Sequence, residues 1–237
     1  GVQALMRQEY PLAIFSYCKC HNLNRCLTRA CELGPFKAFF KTSLDATLIH
    51  RQSNKRTHFL KEAIDAEDEE ELELIGGARH LVTFSGTRWL ARSKSLKRIH
   101  LMFKPLLESL YRLATEHKDG GARLAYHEMR TFDYIVTLCI LIPIFSQLEI
   151  LSETLQKIDL EMHRVESACQ VTQTYLEALR NNTDGTWDAV YDDALALAAK
   201  VSLDESLPEA LFEPAQQEEE VAGGGEQGGG GEQGGGG

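Results

Sequence analysis

Long apolar runs, regularly spaced cysteines and strand-like segments are all scarce in this chain of 237 residues. The longest apolar run, Tyr134–Phe145, has 12 residues and contains Pro143, whereas a membrane-spanning helix needs about 20. It predicts a buried helix and no membrane association. Six clustered cysteines are too few for a secreted disulfide scaffold of this length, and no signal-peptide pattern opens the chain. We therefore expect an intracellular, reducing compartment.

Basic residues are missing from the last part of the chain. From Asp204 onward there are nine acidic residues and no lysine or arginine, and 11 of the 19 glycines lie in 223–237. The formal charge of -10 therefore belongs to this region, because the first 203 residues hold 26 acids and 25 bases. We predict a disordered acidic tail over 203–237 and a near-neutral body, whose charge does not exclude nucleic acid. The first residue, Gly1, predicts that a longer protein precedes the chain.

The apolar spacing predicts a mainly α protein with one short strand. Only Leu12–Tyr17 has the composition of a strand, and Pro11 bounds it. The acidic run Glu67–Glu73 predicts a solvated loop or a frayed helix end. Leu124–Ile142 is apolar on nearly every side, which predicts a central, buried helix. The first half of the chain otherwise predicts helices over Val2–Glu9, His21–Leu33, Phe36–His50 and Ser53–Ala66.

After Thr87 the whole pattern is helical, and Pro105 should kink or split one of the helices. Apolar residues then alternate at spacings of three and four through Leu148–Leu179, which predicts one helix nearly 50 Å long at about 1.5 Å per residue. Two interpretations of this seam stay open. Either long hairpin helices pack on one another, or the seam forms a coiled-coil dimer. A last helix is predicted over Thr186–Val201.

Two short motifs could bind ligands. Cys18 and His21 form a Cys-x-x-His pair, which is two ligands where a structural zinc site needs four. A polar strand-to-helix junction is the simpler interpretation, and zinc is the alternative. Ser53 is a suitable N-cap for the following helix. The basic residues after it, Lys55 and Arg56, either contact phosphate groups of a ligand or belong to a solvated first turn of that helix.

A third feature combines a cationic surface with a large aromatic side chain. From Arg79 to Leu107 the chain has seven bases and no acid. This combination suits a groove that follows a nucleic-acid backbone and a platform on which a base stacks. Alternatively, Trp89 anchors the core and the basic residues form a solvated face. The candidate DNA-binding residues are Arg88, Trp89, Arg92, Lys94, Lys97 and Arg98.

Four short motifs follow one another along the chain. They are Gly1–Met6 with Glu9–Pro11, Cys18-x-x-His21-Asn22-Leu23-Asn24, Ser53-x-Lys55-Arg56, and Thr87–Arg92. In this order they resemble the hAT superfamily of transposases, and the resemblance is strongest to the animal group that includes the zinc-finger MYM-type proteins and the repressor of the inhibitor of the protein kinase. The family's RNase H-like α/β domain is interrupted by a helical insertion. The resemblance thus implies a partial α/β segment over 1–34, the helical insertion over 35–202 and the tail over 203–237.

The resemblance also implies that this chain is not an enzyme. The family cleaves DNA with metal ions held by two Asp and one Glu, and these three positions fall outside the chain. Asp45 and Asp133 match none of them. We therefore expect no catalytic residue, no metal ligand and no cofactor, since Mg²⁺ would be needed only by an intact transposase. No BED or THAP-type zinc finger is present.

Two sets of residues match motifs of the family. Cys18 and His21 match its Cys-x-x-His motif, which lies beside the active site. Arg88 and Trp89 match its Arg-Trp motif, whose Trp stacks on a base flipped from the DNA hairpin. Ser85 stands where the family usually has Cys, so any role of that Cys is lost.

These observations predict a non-catalytic, transposase-derived fragment that acts in the nucleus as a DNA-associated or protein-interaction module. The alternative is an incomplete piece of an active hAT-like transposase that performs metal-dependent cut-and-paste transposition. The expected partners are DNA, or a second copy or another protein bound through Leu148–Leu179. Neither a membrane nor a small-molecule substrate is expected.

Overall fold

Helices account for most of the chain that the structure describes. A computed structural model of the protein describes residues 2–12, 19–84, 90–157, 161–182 and 185–203, all within the unit Gly1–Ser206. The helices are α1 (Val2–Glu9), α2 (Lys19–Ala30), α3 (Gly34–Arg51), α4 (Asn54–Asp65), α5 (Glu69–Ile75), α6 (Leu90–Leu101), α7 (Phe103–Glu116), α8 (Gly120–Met129), α9 (Phe132–Leu155), α10 (Met162–Asn181) and α11 (Thr186–Lys200). The predicted mainly α class is confirmed.

The structure does not show the RNase H-like α/β segment that is predicted over residues 1–34. Of the strand predicted over Leu12–Tyr17, residue 12 lies in a turn, and residues 13–17 fall outside the described ranges. Those ranges contain no strand. The tail predicted over 203–237 also lies outside them from residue 204 onward. The domain boundary between residues 34 and 35 stays a prediction.

The central element is α9. It contacts α2, α3, α6, α8, α10 and α11, and its Ile135 and Leu138 are fully buried. Within the described residues, α9 is the one helix that is long and apolar enough to cross a membrane. The core helix of a globular protein meets the same criterion. Neighbours on several sides explain why α9 is apolar around most of its circumference.

Tyr134 joins α9 to a group of helices formed by α3, α4, α7 and α8. The Ser43 hydroxyl donates to the Phe39 carbonyl at 2.8 Å, so it accepts the hydrogen bond from the Tyr134 hydroxyl at 2.7 Å. The Phe39 and Phe103 rings lie 4.6 and 6.1 Å from the Tyr134 ring. Burial raises the pKa of Tyr134, which keeps this internal donor neutral.

The acidic run predicted as a loop or a frayed helix end is instead the ordered helix α5. The Asp68 carboxylate accepts a hydrogen bond from the Glu71 amide at 2.9 Å and caps the helix. The glutamates fill the first turn, where the helix dipole favours negative charge. Gly76 closes the helix in the left-handed conformation, with φ of +64°. Local capping therefore outweighs the repulsion among the acids.

The helix predicted over Leu124–Ile142 is in fact two helices. α8 ends at Met129 and α9 begins at Phe132. Thr131 caps α9, because its hydroxyl accepts a hydrogen bond from the Tyr134 amide at 3.3 Å. A similar break separates α6 from α7 at Met102. The predicted split near Pro105 is thus confirmed, with the proline in the first turn of α7, where its missing N–H costs little.

The helix predicted to be nearly 50 Å long is also two helices. α9 ends at Leu155 and α10 begins at Met162. The side chain of Gln147 donates to the Thr172 hydroxyl at 3.4 Å, so α10 returns alongside α9. Thr172 and Leu179 of the seam are buried in this hairpin. The structure therefore has the hairpin arrangement, and a dimer along Leu148–Leu179 stays a prediction.

Candidate nucleic-acid interface

Helix α6 holds four of the six candidate DNA-binding residues. Arg88 and Trp89 lie outside the described residues. Leu96 and Ile99 are fully buried and mark the side of α6 that faces the core. With 3.6 residues per turn, Arg92 lies on this same side, because it precedes Leu96 by four residues. The basic residues of α6 are therefore divided between two faces of the helix.

Arg92 is partly buried and packs against the core. Its guanidinium carbon lies 4.7 Å from the centre of the Phe40 ring. Burial lowers the pKa of Arg92, and a favourable interaction with Cys31 opposes that shift. Burial likewise raises the pKa of Cys31 to about 11. Arg92 thus connects α6 to α3 and to the residues after α2, and it is not on the outer face.

The other three cations lie on the outer face of α6. The Lys94 and Lys97 ammonium groups are 4.0 and 3.5 Å from the carboxylate of Glu149 on α9, and the Glu149 side chain is only 13% exposed. The Arg98 side chain is half-buried, and no described carboxylate lies within ion-pair distance of it. One largely buried acid therefore faces two lysines. The group formed by Lys94, Lys97, Arg98 and Glu149 has a positive net charge.

The helix that contains His21 lies close to this group. His21 is exposed on α2, and Cys18 is outside the described residues. Leu23 and Leu27 of α2 line a small crevice together with Glu149, the residue that faces Lys94 and Lys97. The motifs that contain His21 and Trp89 thus lie at the start of two helices, α2 and α6, that pack on the same part of α9. Sequence reasoning missed the exposed Arg25 and Arg29 of α2, because they belong to no motif.

The basic motif at the start of α4 has a mainly structural position. Ser53 is at the N-cap of α4, as predicted, although its hydroxyl makes no capping hydrogen bond. Arg56 forms an ion pair with Asp119 at 2.5 Å, and both side chains are mostly shielded from solvent. Lys55 remains exposed. The Arg56 guanidinium is therefore engaged within the protein.

Among the described residues, neither Asp45 nor Asp133 belongs to a group of three potential metal ligands. Asp45 pairs with Lys41 at 2.8 Å on the surface. Asp133 lies in the first turn of α9, and desolvation raises the pKa of its carboxyl. Over the described ranges, the one group of three potential metal ligands lies elsewhere, at His100, Cys139 and Asp193. Sequence reasoning missed it because its members are far apart along the chain.

A cleft of about 580 Å³ lies between α4, α7, α8 and the end of α11. Its charged side chains are largely paired. Lys104 bonds to Glu67 at 2.6 Å, and Arg112 lies 3.2 Å from Glu62. The Lys104 pair raises the pKa of that ammonium. These pairs stabilise the walls of the cleft and leave α6 as the better candidate for binding a charged partner.

Comparisons of the chain with family models, with curated proteins and with solved structures found no match. The resemblance to hAT transposases therefore depends on the four motifs alone.

Proposed function

We propose that this chain is a non-catalytic, hAT-transposase-derived nuclear module in which the outer face of α6 contacts the DNA backbone. The supporting observation is the position of Lys94, Lys97 and Arg98 on that face, where, among the described residues, Glu149 is the acid that pairs with the two lysines. Arg88 and Trp89 directly precede α6 in the chain, so a base-stacking side chain would adjoin the phosphate-binding face.

The two ion pairs to Glu149 do not prevent this contact. The side chains of Lys94 and Lys97 are 68% and 45% exposed. A lysine ammonium carries three N–H donors, and the Glu149 carboxylate lies 4.0 and 3.5 Å from the two ammonium groups. Each lysine can therefore bind a phosphate oxygen without leaving the largely buried carboxylate unpaired. Two or three phosphate contacts on duplex DNA predict a slope of about -2 to -3 in a plot of log affinity against log salt concentration.

A stacked base adds a preference for unpaired DNA. Stacking on an aromatic side chain contributes about 1–3 kcal/mol per base, and bases are accessible in single strands and in hairpin loops. The Trp89→Ala variant should therefore lose more affinity for hairpin or single-stranded DNA than for duplex. Equal loss on all three substrates, together with a lower melting temperature, would identify Trp89 as a core residue.

The test is fluorescence anisotropy of labelled DNA hairpins titrated with the full chain at several salt concentrations. The triple variant Lys94→Ala, Lys97→Ala, Arg98→Ala should bind at least about tenfold more weakly and lose most of the salt slope. The control removes three exposed cations from other helices, Lys37, Arg123 and Arg180, and leaves the same net charge. Equal weakening by both triple variants would refute a specific role for α6.

Catalysis is tested separately with supercoiled DNA. We expect no nicking by the purified chain in Mg²⁺ or Mn²⁺, because the family's three metal-binding acids have no counterpart here. Robust metal-dependent cleavage would overturn the non-catalytic proposal and favour a piece of an active transposase.

A further inference from the structure

Three potential metal ligands from three helices meet where α6, α9 and α11 pack together. One ligand atom from each of His100, Cys139 and Asp193 lies within 4.8 Å of the other two. His100 Nε2 is 2.9 Å from the Asp193 carboxylate, and the Cys139 sulfur lies within 4.8 Å of the ligand atoms of both residues. Cys139 is buried, whereas the side chains of His100 and Asp193 are 23% and 47% exposed. The cluster therefore opens to solvent on one side.

We propose that His100, Cys139 and Asp193 bind a zinc ion with three protein ligands and one position open to water. In a tetrahedral zinc site the bond lengths place ligand atoms about 3.4–3.6 Å apart. The observed spacing, from 2.9 Å for the His–Asp pair to at most 4.8 Å, brackets this range. Rotamer adjustments of these side chains can therefore admit the ion.

The ligand chemistry favours zinc over the hard cations. Mg²⁺ and Ca²⁺ bind almost entirely to oxygen, whereas a thiolate, an imidazole and one carboxylate suit Zn²⁺. His100 also lies in the last turn of α6, where the partial negative charge of the helix terminus favours a cation. The site goes beyond the proposed DNA contact, and it revises the expectation of a chain without a cofactor.

Binding requires the Cys139 thiol to lose its proton. Burial and the neighbouring Asp193 carboxylate raise the pKa of this thiol, so the free thiol is protonated at neutral pH. The zinc ion replaces the proton on sulfur, a Zn–S bond forms, and the proton leaves to the buffer. No oxidant or reductant takes part. Uptake of the ion should therefore release about one proton and weaken as the pH falls.

The experiment titrates the full, metal-free chain with Co²⁺ and then displaces it with Zn²⁺. A thiolate–cobalt charge-transfer band in the near ultraviolet should appear at one ion per chain and disappear as Zn²⁺ is added. The Cys139→Ser variant should lose the band. Asp193→Asn changes a half-exposed side chain, and it should weaken Co²⁺ binding about tenfold or more with an unchanged circular-dichroism spectrum.

Two cysteine variants serve as controls. Cys169→Ser alters an exposed cysteine on α10, and Cys18→Ser alters the Cys-x-x-His pair near the start of the chain. Both should keep the band and the affinity of the wild-type chain. Loss of the band in Cys18→Ser, its persistence in Cys139→Ser, or unchanged affinity in a folded Asp193→Asn variant would each overturn the proposal.

Discussion

Arg92 of α6 stacks on Phe40 of α3, with 4.7 Å between the guanidinium carbon and the ring centre. Phe40 is itself buried and makes edge contacts with Phe84 and Phe145. A residue whose sequence context suggests a DNA contact is therefore part of the packing between helices. The basic residues of α6 therefore lie both on the side of the helix that faces the core and on its outer face.

Replacement of Arg92 should destabilise the protein. Arg92→Ala removes a partly desolvated cation–π contact and the packing of the alkyl stem, so the free energy of unfolding should fall by about 1–2 kcal/mol. Arg92→Lys should recover only part of this, because an ammonium group does not stack as a guanidinium does. Urea denaturation measures both effects. Lys94→Ala is the exposed control and should change stability by less than about 0.5 kcal/mol, and equal effects of Arg92→Ala and Lys94→Ala would contradict the prediction.

His50 should make the protein sensitive to acid. Its ring nitrogens lie 3.2 Å from the Arg56 carbonyl and 3.2 Å from the Ser109 hydroxyl. Burial lowers the pKa of His50 to about 4, against about 6.5 in the unfolded chain. The unfolded state therefore binds more protons between these values, and this contribution to stability, about 3 kcal/mol in all, is lost as the pH falls from 6.5 to 4.

Unfolding free energies measured from pH 7 to pH 4 test this prediction. His50→Gln should flatten the decline in stability between pH 6.5 and 4 relative to the wild-type chain. His58→Gln is the matched control, because the His58 side chain is 67% exposed, and it should keep the wild-type slope. A wild-type slope in His50→Gln would show that other groups cause the acid sensitivity.

Asp119 has two structural roles that two substitutions can separate. Its carboxylate caps α8 through the amides of Gly121 and Ala122, at 3.0 and 3.1 Å, and pairs with Arg56 at 2.5 Å. Asp119→Asn keeps a capping oxygen and loses the charge, so it should cost about 1 kcal/mol. Asp119→Ala loses both roles and should cost about 2 kcal/mol. Urea midpoints in the reverse order would contradict this assignment.

Gly76 should tolerate a side chain less well than Gly34. Gly76 ends α5 with φ of +64°, a conformation that L-residues adopt at a cost, whereas a Cβ at Gly34 would meet open space. Gly76→Ala should therefore lower the free energy of unfolding by about 1 kcal/mol. Gly34→Ala should leave it unchanged or raise it slightly. Thermal unfolding distinguishes the two, and an equal loss in both variants would show that φ at Gly76 is not the cause.

Several elements follow directly from local sequence patterns. Val2–Glu9 is helical over the predicted range, and the helices that end near residues 50 and 66 and begin at Thr186 lie within a few residues of their predicted positions. Apolar spacing and capping residues are short-range signals. They therefore identify most helices and the mainly α class without knowledge of the partners.

Two errors arose where one helix ends and the next begins inside a single apolar pattern. Thr131 starts a new helix inside Leu124–Ile142, and the seam through Leu148–Leu179 contains the end of α9 at Leu155 and the start of α10 at Met162. Periodicity alone cannot detect these breaks, because the apolar residues on both sides face the same core.

Local patterns in the sequence predict a set of amphipathic helices around one apolar helix, with a basic segment after residue 87. The tertiary packing divides the side chains of that segment between two faces of α6. Arg92 packs on Phe40, whereas Lys94 and Lys97 lie on the outer face beside Glu149. It also brought His100, Cys139 and Asp193 together. Helix formation depends on nearby residues, whereas a binding site depends on which helix faces meet when the core is packed.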